Sequence, residues 1–298
     1  MGKKIKNTKT PEQRRAEAEA LQGSIAEQVE ELRNTDQWKK MLDYAQKFHA
    51  YSINNLLLIM AQMETATQVA GYRKWQSLGR QVRKGERGIR IFGSGEKKIT
   101  EEDENGEEVT RRRRIFFPVS VFDISQTDKM EGTEDVPEVV HRLTGDDPKG
   151  ILFAVVEWLT GKGWTVDREA IPGEINGLTQ HDYKRVVIDS HLTAAQAAKT
   201  ALHEAAHVVL HAEESPSEYI AHRGVKETEA ESVAYVVSGI LGMDTSSYSI
   251  GYVAGWSGGD AELIKDTAQR VLKAAHIIAD GIVEDPAPAE QNSTDLAA

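Results

Sequence analysis

The stretch ALHEAAHVVLH, residues 201–211, sets three histidines at four-residue spacing in a small, apolar run. Residues four apart on an α-helix share a face, one turn apart, so these imidazoles either hold a metal or sit in a core helix. His203, Glu204 and His207 match H-E-x-x-H. Two imidazoles so placed bind one Zn2+, and the carboxylate between them stands beside the remaining coordination position. A water polarised there can lose its proton to Glu204 and become a nucleophile near neutral pH. The bland alternative is a core helix with satisfied histidines, but it strands Glu204 on an Ala-rich segment, and acidic groups are rarely fully buried without a partner.

With no cysteine in the chain, the remaining ligand must be His, Asp or Glu. An extended H-E-x-x-H-x-x-G-x-x-H site is excluded, because Leu210 and Glu213 occupy the Gly and His positions. His211 lies one further turn along the same straight helix and cannot easily close a tetrahedron, so it reads as an extra surface imidazole or one that supports a ligand. His222 is a further possible donor. The better candidates lie in KETEAESVAYVV, which offers Glu227, Glu229 and Glu231. Glu227 is the expected ligand, 20 residues beyond His207, with Glu231 as an acceptor orienting a histidine. Glu229 competes for the ligand position, and a plain solvated acidic face would explain any one of the three.

Length and composition bound the rest. The 298 residues suggest two domains plus tails, and 40% hydrophobic with 28% charged residues suits a globular chain. No run approaches a membrane span and the start lacks a signal-like apolar stretch, so the expected location is cytoplasmic, with no membrane partner. The fold class is α+β. Residues 1–128 read as a small helix-plus-hairpin domain: an amphipathic helix over Pro11–Arg33, a second opened by Thr35 and Asp36 that buries Trp38, Met41, Leu42, Ala45 and Phe48, then an apolar helix in YSINNLLLIMAQ. Two strand-like runs flank Asn105-Gly106, a pair that favours a tight hairpin turn. Residues 129–149 read as a linker, 150–284 as the domain carrying the histidine helix capped by Thr193, and 285–298 as a disordered tail.

The net charge of −11 argues against the whole molecule as a polyanion binder, yet the sign reverses locally. From Arg73 to Lys98 there are nine basic residues against two acidic, and Arg111–Arg114 add four more. Tyr72, Trp75, Phe92, Phe116 and Phe117 lie among them, a mixture that suits single-stranded nucleic acid, whose bases stack and whose phosphates pair. Arg73, Lys74, Arg80, Arg83, Lys84 and Arg87 form the expected DNA-binding set. Solvated strand faces and core aromatics are the alternative.

The histidine segment resembles zincin metallopeptidases of the ImmA/IrrE-like group, in which H-E-x-x-H precedes a Glu-rich helix. The resemblance implies hydrolysis of an extended peptide by zinc-bound water, with YKRVVID as the edge strand that holds it. Tyr248 or Tyr252 would then be candidates to steady an oxyanion. HAYSINNLLLIMAQ, VAGYRKWQSLGRQVRKGERGIRI and VSVFDISQT resemble the amino-terminal domain of ArdC-like antirestriction proteins. That family pairs a domain binding single-stranded DNA with a carboxyl-terminal zincin and protects incoming DNA of mobile elements. The resemblance therefore implies a zinc metallopeptidase acting on an unknown protein substrate. A non-enzymatic DNA-protecting protein with a structural or vestigial metal site is the alternative.

Overall fold

A computed structural model describes residues 10–48, 50–102, 108–133, 149–212, 223–243 and 260–282. The Asn105-Gly106 turn, most of the 129–149 linker, His222, Tyr248, Tyr252 and the 285–298 tail lie outside the described residues. The fold mixes helices with short sheets, the α+β class, and none of the described helices is long and apolar enough to cross a membrane.

The described residues divide into two compact units: those of 10–28 and 57–133 make one, and those of 29–56 and 149–282 the other. Two early helices, α1 (Pro11–Glu31) and α3 (Ile53–Gln62), contribute residues to both.

The first unit is built on a long antiparallel hairpin, β3 (Ile89–Glu102) and β4 (Glu108–Asp123). Strand β1 (Val69–Ala70) extends it along β4. Beside it lie the short helix α4 (Tyr72–Ser77) and a second ribbon, β2 (Arg80–Val82) paired with β5 (Thr127–Lys129). Asp123 is buried where β4 ends, and its carboxylate accepts from the backbone N–H groups of Thr67, Gln68 and Ser125 at 2.7, 3.0 and 3.0 Å. Three donors converging on one buried carboxylate fix this corner, since leaving any of them unpaired would cost about 1–3 kcal/mol.

The second unit carries the histidine segment. Thr193 and Gln196 form a reciprocal capping box that opens α6 (Ala194–His211), satisfying two backbone donors at the helix start. Ala197, Ala198, Ala201, Leu202, Ala205 and Ala206 are fully buried along it. Small side chains there let neighbouring helices approach: α7 (Arg223–Ile240), α5 (Lys149–Gly161) and α8 (Ala261–Ile282) all pack on α6. Helix α2 (Thr35–Phe48) packs on α7. There Trp38 Nε1 donates to Ser232 Oγ (3.1 Å), and the Tyr235 hydroxyl donates to Asp43 Oδ1 (2.5 Å).

Two local readings change. The Asn34 side chain accepts from Asp36 N at 2.8 Å and the Asn34 carbonyl takes the first helical bond of α2, so Asn34 caps that helix ahead of Thr35. The buried stripe Trp38, Met41, Leu42, Ala45 and Phe48 lies as its spacing indicates, but α2 belongs to the second unit, whereas the sequence reading grouped it with the first.

A three-stranded sheet, β6-β8-β7, flanks α6: β6 (Thr165–Glu169) runs parallel to β8 (Arg185–Asp189), and β7 (Gly177–Gln180) runs antiparallel to it. The YKRVVID strand expected at the edge is therefore the central strand. Val186, Val187 and Ile188 are all buried, as a strand covered on both faces requires. The edge that meets α6 is β7.

Candidate functional site

On α6, one helical turn separates His203 from His207, and their Nε2 atoms converge to 3.0 Å. Glu227 on α7 brings Oε2 to 3.5 Å from His203 Nε2 and 3.9 Å from His207 Nε2. These three side chains each offer one donor atom, all within 4.8 Å of one another, and they are the metal-competent group among the described residues. Donors about 2.0–2.1 Å from one tetrahedral ion lie roughly 3.3–3.4 Å apart. The observed separations bracket that value, so two imidazoles and a carboxylate fit a divalent cation without rebuilding either helix.

The supporting residues form two arms. His203 Nδ1 lies 3.3 Å from Glu231 Oε2, and Glu231 Oε1 lies 3.3 Å from Lys199 Nζ. His207 Nδ1 lies 3.0 Å from His211 Nδ1, and His211 Nε2 lies 3.1 Å from Glu229 Oε2, while the other oxygen of Glu229, Oε1, is ion-paired to Arg270 on α8. His211 and Glu229 are both buried at 2% exposure. Thus Glu227, Glu229 and Glu231 divide their work: the first faces the two Nε2 atoms, the third meets His203, and Glu229 meets His211 on the far side of His207. Neither His211 nor Glu229 joins the donor group.

Electrostatics follow from this wiring. Burial disfavours charge on His203, but hydrogen bonds with Glu227 and Glu231 and the charge of Glu204 outweigh it and hold the ring's pKa up at about 9. Burial, reinforced by the charge of His203, pushes His207 down to about 3. Without a metal, protonated His203 faces neutral His207, whose Nε2 presents a lone pair. Burial likewise opposes charge on Glu231, yet the His203 hydrogen bond and the Lys199 charge hold its pKa below the usual carboxylate value.

Glu204 is buried at 5% exposure. Its Oε2 accepts from the Thr179 hydroxyl at 2.6 Å, which ties the site to edge strand β7. Burial raises the Glu204 pKa, while the charge of His203 and the Thr179 bond oppose the rise. Gly177 makes this approach possible: a Cβ there would sit 2.6 Å from Thr200 Cγ2 and 2.9 Å from Glu204 Oε1. Sequence reading missed Thr179, Lys199 and Arg270. The turn of helix from Lys199 to His203 offered a signal for one of them, but nothing local in the sequence marks the other two.

In the first unit the basic residues fall into two kinds. Arg73, Lys74, Lys84 and Arg87 are exposed. Arg80 and Arg83 are engaged in the β2-β5 ribbon. Arg80 Nε donates to Thr127 Oγ1 (2.7 Å), while Arg83, itself exposed, donates from Nη2 to the Ser125 carbonyl (2.6 Å) and pairs through Nη2 with Glu86 (2.8 Å) and through Nη1 with Asp128 (3.4 Å). Of the aromatic residues, Trp75 is buried and donates to the Phe122 carbonyl, whereas Phe116 is 66% exposed. Arg112, Arg114 and Phe116 alternate onto one face of β4. Lys98, Glu96 and Ser94 of β3 stand opposite them, and the Arg114 guanidinium lies 5.7 Å from the Phe116 ring centre.

Residues 15–122 match the family model of the N-terminal domain of anti-restriction factor ArdC. The chain is 25% identical over 312 aligned positions to an uncharacterized protein of Bacillus anthracis; the match covers 92% of this chain, which spans about half (52%) of that relative's length. Two crystal structures of the antirestriction ArdC protein from the R388 plasmid are also similar. The metal-free form has a TM-score of 0.48 at 24% identity, over 78% of this chain and 84% of that one. The Mn(II)-bound form has 0.44 at 21% identity, over 78% and 89%. The family match is thus to an ArdC-type amino-terminal domain and covers residues 15–122.

Proposed function

We propose that this chain is an antirestriction protein of a mobile element, binding single-stranded DNA through its first unit and hydrolysing a peptide bond at a Zn2+ centre in its second. The observation that carries the hydrolytic reading is the triangle of His203, His207 and Glu227 with Glu204 on the intervening turn. A bound divalent cation would supply Lewis acidity towards water and a peptide carbonyl. Glu204, with its pKa raised by burial, takes the water proton and can return it to the departing amine. Thr179 holds Glu204 by one oxygen, leaving the other for that exchange. Among the described residues no further strand pairs with the outer edge of β7, along which an extended substrate can pair.

The Glu227 side chain is 41% exposed and that of His203 20%. This openness favours a reacting site over a purely structural one, which is ordinarily closed by protein ligands. For DNA, the exposed Phe116 with Arg112, Arg114 and Lys98 supports a stacking surface, and Arg73, Lys74, Lys84 and Arg87 support phosphate contacts. Arg80 and Arg83 contribute mainly to holding the ribbon that presents them.

The test compares wild type with Glu204→Gln in two assays: protection of unmodified plasmid DNA entering a restricting host, and turnover of proteins in that host. Loss of both activities supports a peptidase-dependent function. Full protection by Glu204→Gln would leave DNA binding alone as the protective activity.

A further inference from the structure

A metal-binding imidazole must keep one nitrogen unprotonated and place its proton on the other, and the partner of that second nitrogen decides which tautomer is held. For His203 the partner is the carboxylate of Glu231. For His207 it is another imidazole, His211, with Nδ1 facing Nδ1 at 3.0 Å. Two Nδ1 atoms at that distance need one proton between them. His211 Nε2 faces Glu229 Oε2 at 3.1 Å, and that carboxylate is in turn paired with Arg270. A carboxylate accepts only, so His211 carries a proton on Nε2, and as a neutral imidazole it presents a bare Nδ1. His207 must then donate from Nδ1, which leaves its Nε2 lone pair facing His203 Nε2 and Glu227.

We infer that His211, oriented by Glu229 and Arg270, is a positioning residue that accepts the Nδ1 proton of His207 and so holds His207 Nε2 ready to bind the metal. The inference rests on the metal reading of His203, His207 and Glu227. It also gives a purpose to two buried groups, His211 and Glu229, and to the exposed Arg270 paired with one of them, none of which the hydrolytic chemistry itself uses. Histidine suits the position because it accepts on one side and donates on the other. The chain of bonds thus runs in one direction, from His207 through His211 to the Glu229–Arg270 pair. That pair draws on α7 and α8 together, so the tautomer of a ligand on α6 depends on three helices meeting.

The experiment uses the full chain in two steps. In the metal-free wild type, 15N NMR of the histidine rings reads the tautomer of His207 and the scalar coupling across the His207–His211 bond. His207 protonated on Nδ1, with a coupling to His211 Nδ1, is the expected result. Titration with Zn2+ alone then compares wild type, His211→Leu and His211→Asn, each shown to be folded by circular dichroism. His211→Leu removes the acceptor and should weaken zinc binding about 10- to 100-fold. His211→Asn restores an acceptor near the Nδ1 position and should recover most of that loss. A His207 proton on Nε2, an absent coupling, or wild-type zinc affinity in His211→Leu would overturn the inference. If the coupling is present but the wild type takes up no zinc, the metal reading fails and the purpose given to the bond fails with it. Zinc uptake without the coupling overturns the positioning role alone.

Discussion

Replacing Thr179 with Val removes one hydroxyl from edge strand β7 and changes the side-chain shape little. That hydroxyl donates to Glu204 Oε2 at 2.6 Å, on a carboxylate only 5% exposed. A hydrogen bond to a charged group contributes about 1.5–3 kcal/mol, and the partly buried setting places this one near 2 kcal/mol. For a unit of this size each kcal/mol moves the melting temperature by roughly 2–4 °C, so a fall of about 4–8 °C is expected in the metal-free protein at neutral pH. The deficit should shrink as pH falls through the raised folded-state pKa of Glu204, because the hydroxyl bond favours the ionised form and matters less once the carboxyl is protonated. Thermal unfolding of wild type, Thr179→Val, Glu204→Leu and the double variant closes a cycle. Thr179→Val should cost under about 0.5 kcal/mol when Glu204 is already Leu. Equal cost in both backgrounds would show that Thr179 acts through packing and does not hold Glu204.

The remaining predictions concern DNA and protons. Phe116→Ala should weaken binding to a labelled single strand by about 1–3 kcal/mol, the range for loss of one stacking ring, as read by fluorescence anisotropy; unchanged affinity would remove the hairpin face from the interface. The double change Lys84→Ala and Arg87→Ala should lower the slope of log affinity against log salt by about 1.4, whereas Arg83→Ala should lower thermal stability and move the slope less. His203, held up at about 9, must lose its proton to bind a metal. Zinc binding near pH 7 should therefore release a proton, and affinity should climb with pH until about 9, as calorimetry in buffers of different ionisation enthalpy would reveal. In the metal-free protein the raised pKa stabilises the fold fully below the unfolded value of about 6.5, and that contribution is lost as pH rises through about 9.

What the sequence revealed depended on how local the signal was. The Thr193 cap and the stripe of α2 are written in spacing and composition, and the structure carries both. The stripe said that α2 has a partner, but not that the partner is α7, because an apolar face carries no address. The edge strand was misplaced although the run Val186–Ile188, apolar without alternation, already indicated a strand covered on both sides. Arg80 and Arg83 counted as free charge in the sequence, yet each faces acceptors on a segment more than 40 residues away. The three glutamates were the hardest to separate. Glu227 and Glu231 share a helix face, but which face meets α6 depends on how α7 crosses it, and the reach of Glu229 to His211 and Arg270 depends on α8 as well.

The proposed metal centre is open to one titration. The metal-free 298-residue chain is titrated with Zn2+ alongside His203→Ala and Glu227→Ala, and bound metal is counted after gel filtration. The expected result is about one ion per wild-type chain, none retained by His203→Ala, and markedly weaker binding by Glu227→Ala. Equal retention by all three proteins would contradict the assignment of these donors.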